Sequence, residues 1–367
     1  MDRMKFFVTT VSTSWDEIPR ARHQVTEELI RAGHEVLFVE KNRTGFPGIQ
    51  IRKEKPGLTV VTPVFPLDYR FRYRLPLINE AYHLWLYSHL KKRFDDRTVI
   101  NFDFTAHLLH RFFKRNVYYC NDEYIGNSTR TFFLVESYHR HIEQRVIKTS
   151  CFCVSTARYL THKLSRHNQR VYEIPLGGPQ PQTTDTARHF EKRKSIKIGL
   201  MGNIQTALVS VDIMNRLLQE PDFHLIFVGH VGEEFRGQIK YIERVEFKDV
   251  LRGESLFKEM AAFDVAIAPY NLKTINAGAT PNKLFQYLAC GCPVVISAIP
   301  NIEGANYPQG TVYIANNEDE FVENIRKAYA EDCPDYTRAR LQFASENTWE
   351  KRIRFFLSCL KKHGLTD

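Results

Sequence analysis

The chain of 367 residues predicts an α/β fold with two parallel-sheet domains, on three observations. Its length exceeds what one hydrophobic core usually serves. Strand-length apolar runs alternate with helical patterns over residues 5–174 and again over 196–300, the rhythm of βαβ units. Between them, Pro175, Gly177, Gly178, Pro179 and a polar Gln/Thr/Asp run break the periodicity and read as a linker. The expected division is a first domain at 1–178, a linker at 179–195, a second domain at 196–348 and a closing helix at 349–367.

Residues 5–11 are apolar and open as a strand, and 12–19 form a polar loop. Helical spacing runs from about Arg20 to Ala32, and Gly33 stops it. Residues 34–40 read as the next strand. Later strands are expected at 98–102, 116–120, 151–155 and 170–174, with helical patterns between several of them. In the second half, a strand at 196–202 ends in Gly202 and one at 224–229 ends in Gly229, with a helix at about 209–220 between them. Residues 265–269 and 294–297 continue the series.

Residues 278–295 are the most informative stretch. Thr280 can cap a helix, and Pro281 suits its first position, where a missing N–H costs nothing. Asn282 and Lys283 then lie in the first turn, with Gln286 and Tyr287 on the lysine's face one turn later. A helix N-terminus that carries a lysine favours phosphate through amide donors and dipole together. Gly291 ends the helix, and an apolar strand follows. A capped αβ unit with a solvated lysine is the plain alternative.

The pattern Pro-x-Lys-x-x-Gln-Tyr-Leu-Ala-x-Gly-x-Pro-Val-Val resembles the donor-binding signature of GT-B glycosyltransferases, enzymes of polysaccharide and glycolipid synthesis with two facing Rossmann-like domains. The resemblance implies that Lys283 contacts the nucleotide pyrophosphate, that Gln286 holds the ribose, and that the C-terminal helix crosses back to the first domain. Most retaining relatives carry Glu at the position of Gln286 and an acidic residue eight positions earlier, where this chain has Gly278. Lys-x-x-Gln is instead similar to the inverting exopolysaccharide glucuronosyltransferases typified by the xanthan pathway. The donor implied is a nucleotide-diphosphate sugar, with UDP preferred, and no cofactor is required.

Other loops at strand ends fit the same site. Gly202 and Asn203 follow one strand and Gly229 the next; glycine there permits close approach to a phosphate or sugar. The segment at Phe247 resembles the one whose backbone edge reads the base, and Tyr270 could border the nucleotide. Glycine at a strand end is also ordinary turn chemistry. The Gly-x-Gly-x-x-Gly fingerprint and the Walker loop are absent, which argues against a nicotinamide dehydrogenase or a P-loop ATPase.

Inverting transfer needs a base that takes the acceptor proton. Asp122 is the first choice, just past a strand in a segment that looks like the Tyr-x-x-x-Asp-Asp motif of related enzymes, with Glu123 in place of the second Asp. Asp122 could equally cap a helix; Glu123 and His107 stand next. Ser14, Trp15, Arg20, Arg22 and His23 resemble the family's acceptor-side segment, and the two arginines could hold an acceptor pyrophosphate or a uronate. They read equally as a solvated first helical turn. No metal is expected, because no Asp-x-Asp loop appears and such enzymes neutralise the leaving group with side chains and a helix dipole.

Charge and composition suggest partners. Residues 1–178 carry a balance of +10 and the rest −1, within a net +9. That asymmetry points to an anionic partner for the first half. Residues 69–94 alternate bases with aromatics and then turn helical, which suits an anionic membrane surface, nucleic acid, or a plain amphipathic element. Membrane docking toward a lipid-linked or oligosaccharide acceptor is preferred, and nucleic acid is not expected. No leader precedes the first strand, no run is long enough to span a membrane, the seven cysteines fit a reducing compartment and the pairs Cys151/Cys153 and Cys290/Cys292 read as reduced core residues, so the expected place is the cytoplasmic face of the membrane. The rival functions are a nucleotide-sugar epimerase of the same fold and a basic nucleic-acid-binding protein.

Overall fold

The computed structural model describes residues 3–125, 133–181, 194–275, 277–303 and 305–366; the expected linker at 179–195 falls mostly outside them. The chain divides into two compact units, Met1–Pro175 with Arg352–Asp367, and Leu176–Lys351.

The first unit runs β1 (Lys5–Thr9), α1 (Ala21–Arg31), β2 (Glu35–Val39), β3 (Arg43–Thr44), β4 (Gly48–Lys55), β5 (Leu58–Phe65), α2 (Tyr69–Arg72), α3 (Ile78–Phe94), β6 (Thr98–Asn101), β7 (Asn116–Cys120), α4 (Phe133–Thr149), β8 (Phe152–Ser155), α5 (Arg158–Ser165) and β9 (Val171–Glu173). Its sheet has the order β3-β5-β2-β1-β6-β7-β8-β9, parallel except that β4 lies antiparallel to β5. The central strands are buried along nearly their whole length, as parallel strands covered on both faces must be. Val8, for instance, pairs with Phe38 on one side and Ile100 on the other.

The second unit runs β10 (Ile196–Met201), α6 (Val211–Leu217), β11 (Phe223–Val228), α7 (Glu233–Gln238), β12 (Val245–Lys248), α8 (Gly253–Ala261), β13 (Val265–Ala268), α9 (Asn282–Ala289), β14 (Val294–Ser297), β15 (Val312–Ala315), α10 (Glu318–Glu331), α11 (Pro334–Glu346) and the start of α12 (Trp349–Lys362). Its sheet order is β12-β11-β10-β13-β14-β15, with every pairing parallel. From β10 the chain first builds outward to β12, then returns to the other side of β10 and builds to β15. This reversal creates a crevice beyond the carboxyl ends of β10 and β13.

The C-terminal helix does cross back. Beyond Lys351 it belongs to the first unit: Phe356 lies beside Tyr119 and Phe152, and the His363 ring stacks on Phe152 at 5.0 Å. Tyr172 Oη and His363 Nε2 are 2.9 Å apart, and Thr98 Oγ1 donates to the Leu365 carbonyl at 3.0 Å. Among the described residues no helix is long and apolar enough to cross a membrane.

Candidate active site

The crevice of the second unit is lined by the loops that leave β10, β11 and β13. Gly202 and Gly229 close the first two strands with φ of +116° and +123°, values that a side chain rarely tolerates. A Cβ on Gly229 would come within 2.4 Å of the Gly202 carbonyl oxygen, so the two backbones meet there only because residue 229 is glycine. A Cβ on Gly202 would stand 3.8 Å from Lys283 Nζ. The motif lysine therefore reaches the end of β10.

α9 is fixed in this position from several directions. Leu284, Phe285, Tyr287 and Leu288 bury one face, and Tyr287 Oη accepts from the Met201 amide at 2.8 Å, which pins the helix to β10. Asn301 Nδ2 donates to the carbonyls of Ala277 (3.0 Å) and Ala279 (2.7 Å) and holds the approach to the helix. The start differs from the sequence expectation by one residue. Pro281 is the N-cap, with extended φ and ψ, and Asn282 is the first helical residue; Thr280 precedes the cap. Proline's fixed φ suits that position too, and helix ends are the least determined part of any element. Because proline carries no acceptor, no side chain at the cap satisfies the first-turn amides.

Lys283 has no carboxylate partner among the described residues; its ammonium lies 5.6 Å from the centre of the Tyr270 ring. Burial without a counter-charge draws its pKa down to about 8. Tyr270 lies two residues past β13, and its carbonyl accepts from Ser297 Oγ at 3.1 Å. Gln286 stands half-buried one turn beyond Lys283, and Asn203 is exposed beside Gly202. Phe247 is half-buried, its ring edge-on to Phe227 and covered by the Arg236 guanidinium at 4.1 Å. Its backbone belongs to the edge strand of the sheet. Arg236 was not singled out by the sequence, because nothing local marks an arginine that will cover an aromatic ring.

In the first unit the two acidic candidates part company. Glu123 is buried, and its Oε1 accepts from Lys163 Nζ at 2.7 Å and from the Ile125 amide at 3.1 Å. Lys163 also pairs with Glu143 at 2.6 Å, and Glu143 accepts from Tyr118 Oη at 2.8 Å. Glu123 is thus one corner of a buried ion network. Asp122 is half-buried, and its Oδ1 accepts from the Glu123 amide at 2.8 Å. His107 is buried, 3.7 Å from Glu80.

The loop after β1 is built on Glu40. That buried carboxylate accepts from the Trp15 amide at 2.9 Å and from Thr62 Oγ1. The Trp15 ring packs against Phe38 and His23. His23 Nδ1 accepts from the Arg20 amide at 2.9 Å, and its Nε2 donates to the Ser14 carbonyl at 3.0 Å. Both ring nitrogens are therefore spent in the neutral form, and burial lowers the pKa further. Arg20 is exposed and paired with Glu17 at 3.0 Å, whereas Arg22 is buried. Glu40, Lys163 and Glu143 carry no motif signal; each acts through partners distant in sequence. Among the described residues, no group of three or more His, Cys, Asp or Glu could hold a metal ion.

Residues 193–331 match the family described as "Glycosyl transferases group 1". A curated relative, TuaH of Bacillus subtilis (strain 168), a glycosyltransferase assigned to teichuronic acid biosynthesis, is 24% identical over 271 residues, 68% of each chain. Among solved structures, a sucrose-phosphate synthase from Thermosynechococcus elongatus superposes with a TM-score of 0.76 at 13% identity, covering 99% of this chain and 100% of that one. A trehalose-6-phosphate protein from E. coli bound with UDP-2-fluoro glucose gives 0.72 at 10% identity, covering 98% and 99%. The fold is GT-B, and the chain is a glycosyltransferase.

Proposed function

We propose that this enzyme moves a sugar, glucuronic acid or a hexose, from a UDP-linked donor to a polysaccharide or lipid-linked acceptor, with inversion and without a metal ion. The observation that carries the reading is Lys283: a half-buried lysine with no carboxylate partner among the described residues, on the first turn of a helix without a side-chain cap, beside a glycine-terminated strand at the point where the sheet order reverses. Such a place lacks an anion, and a diphosphate supplies one. Lys283 and the first-turn amides at Asn282 neutralise the departing diphosphate, and Gln286 holds the ribose. Gly202, Asn203 and Gly229 admit phosphate and sugar, Tyr270 borders them, and the β12 edge at Phe247 meets the base. The UDP-sugar bound by one structural neighbour and the polymer pathway of the curated relative support donor and acceptor class.

In the transfer step the acceptor hydroxyl oxygen attacks the anomeric carbon while the bond from that carbon to the β-phosphate oxygen breaks. Asp122 takes the hydroxyl proton, and the diphosphate leaves with the bonding electrons. Gly278 and Gln286, in place of two acidic residues, support inversion. The loop holding Ser14 and Trp15, with Arg20, Arg22 and His23 on the first turn of α1, receives the acceptor.

Contact with an anionic membrane, at the cytoplasmic face, is part of the proposal. Between α2 and α3 the exposed Phe71, Leu75, Leu77 and Ile78 form an apolar tip flanked by exposed Arg70 and Arg74. Arg72 is not among these bases: it is buried, stacked 3.9 Å from the Tyr82 ring centre and bonded to Asn42 and Asn79. The test is calorimetric titration of UDP, GDP and UDP-sugars into wild type and Lys283→Ala, followed by the anomeric configuration of the product. UDP binding lost in the variant, with an inverted product, is expected; no nucleotide binding by folded wild type would overturn the proposal.

A further inference from the structure

A helix start takes its entry angle from its cap, and the cap of α9 fixes little. Pro281 has neither a side-chain acceptor nor a backbone N–H, so the first turn that carries Lys283 is oriented by contacts from outside the helix. The connection from β13 to α9 is fastened at two places. Nearer β13, Asn271 Nδ2 donates to the Thr206 carbonyl at 3.0 Å and Thr274 Oγ1 to the Ala207 carbonyl at 2.8 Å, which ties that half to the loop after β10. Nearer α9, Asn301 Nδ2 donates to the carbonyls of Ala277 at 3.0 Å and Ala279 at 2.7 Å.

Asn301 is itself firmly held. It stands half-buried in the turn that leaves β14, where the Ile299 amide donates to the Ser297 carbonyl at 2.7 Å. The amides of Ile302 and Glu303 return to the Ile299 carbonyl at 2.9 and 3.1 Å. Ile299 and Ile302 flank the asparagine and are buried in the core of the second unit. Both N–H bonds of the amide nitrogen thus have an acceptor, a task that the oxygen end of the side chain cannot perform. From the same strand end, Ser297 donates to the Tyr270 carbonyl, so β14 fastens Tyr270 and the approach to Lys283 alike.

The two bonds also bear on charge. A carbonyl oxygen is the negative end of its peptide dipole, and these two lie three and five residues ahead of Asn282, the first residue of α9. Covered by an amide donor, they oppose an anion at that helix start less than bare oxygens would.

We infer that Asn301 is a positioning residue for the donor site: by holding the Ala277 and Ala279 carbonyls from the end of β14, it sets the entry of α9 and so the place of Lys283, without contact to the nucleotide. Its consequence for nucleotide binding rests on the donor reading of Lys283; its hold on the lysine does not.

The test compares the full chain with Asn301→Ser, which keeps one donor, Asn301→Ala, which keeps none, and Asn301→Asp, which sets a carboxylate against two carbonyls. Three quantities are read: UDP binding by calorimetry, the melting temperature, and the pH at which Lys283 becomes reactive to reductive methylation, followed by mass spectrometry. In wild type that midpoint is expected near the depressed pKa of about 8. It is expected to rise in Asn301→Ala, where the helix start relaxes toward solvent, and further in Asn301→Asp, where a carboxylate is added nearby. UDP affinity is expected to fall about tenfold in Asn301→Ala and more in Asn301→Asp, with Asn301→Ser between wild type and Asn301→Ala. Melting is expected to stay close to wild type, because Ile299 and Ile302 keep the turn in place. An unchanged Lys283 midpoint in both Asn301→Ala and Asn301→Asp overturns the inference. Weaker UDP binding would then mean direct contact with the nucleotide, and a much lower melting temperature a structural role alone. Wild type that binds no nucleotide, with the midpoint still moved by the variants, would sink the donor reading and leave the hold of Asn301 on Lys283 standing.

Discussion

Lys283 and Tyr270 meet at the carboxyl edge of the second sheet, with the ammonium 5.6 Å from the ring centre, and this cation–π contact is the lysine's sole internal partner among the described residues. A cation–π pair returns about 0.5–2 kcal/mol, less than a carboxylate partner would give a buried ammonium. In the proposed reading a ligand's charge, rather than an internal partner, completes the surroundings of this lysine. Lys283→Met keeps the aliphatic stem and removes the charge. The free protein is expected to melt at or above the wild-type temperature, while UDP affinity falls about 100-fold. Calorimetry and a melting curve on the same sample check both halves; a variant that binds UDP like wild type removes Lys283 from the donor site.

The depressed pKa of Lys283 gives a pH signature. In the free protein the lysine loses its proton around pH 8 because burial penalises the charged form. A bound diphosphate favours the charged form and raises the pKa, so binding takes up a proton above about pH 8. UDP affinity is expected to be flat below that pH and to fall as the pH rises through it. Stability of the free protein moves the other way. Between about pH 8 and about 10.4 the unfolded lysine still holds a proton that the native one has released, so this residue makes stability rise with pH in that window. Titrations in buffers of different ionisation heat would count the proton, and its absence, or the same pH profile in Lys283→Met, would show that another group governs binding.

The strands were legible because parallel strands buried on both faces must be apolar runs. The β4–β5 hairpin was not, because β4 is half-exposed and rich in Gln, Arg, Lys and Glu, and only its partner strand gives it regularity. The grouping of Gly202, Tyr270 and Lys283 was legible because they sit at strand and helix ends, where local chemistry declares itself. In the first unit the sequence singles out segments but does not separate the surroundings of their side chains. Arg20, Arg22 and Arg72 look alike in the chain; Arg20 pairs with Glu17 nearby, Arg72 bonds Asn42 thirty residues away, and Arg22 is buried with Nε and Nη1 unbonded among the described residues. Glu123 and Asp122 are neighbours in sequence, and Lys163, forty residues on, distinguishes them.

That distinction is testable. Asp122→Asn is expected to lower transfer about 10²–10⁴-fold with UDP binding and melting temperature unchanged, the mark of a lost proton acceptor. Glu123→Gln is expected to do the reverse. It leaves Lys163 with Glu143 alone and weakens the fold by about 1–3 kcal/mol, while folded enzyme keeps turning over. Activity and chemical denaturation of the two variants decide the matter; if Glu123→Gln is stable and inactive, the roles are exchanged.

Leu77 is an apolar side chain held where nothing in the fold requires one. It is 81% exposed at a φ of +66°, a conformation that costs a leucine about 1 kcal/mol or more, with its amide bound to Glu80 Oε2 at 2.7 Å. Folding gains nothing from that exposure, whereas insertion into a membrane interface gains about 1.5–3 kcal/mol for a leucine and about 1 kcal/mol for each nearby arginine. Leu77→Gly removes the strain together with the apolar contact. The variant is expected to melt at or above the wild-type temperature and to bind vesicles containing anionic lipid about tenfold more weakly; Arg70→Gln with Arg74→Gln weakens binding comparably and lowers its salt dependence. Vesicle co-sedimentation over a salt series checks each outcome. Wild type that ignores anionic vesicles would remove the membrane from the proposal, and a Leu77→Gly variant that binds them undiminished would place the contact elsewhere on the first unit.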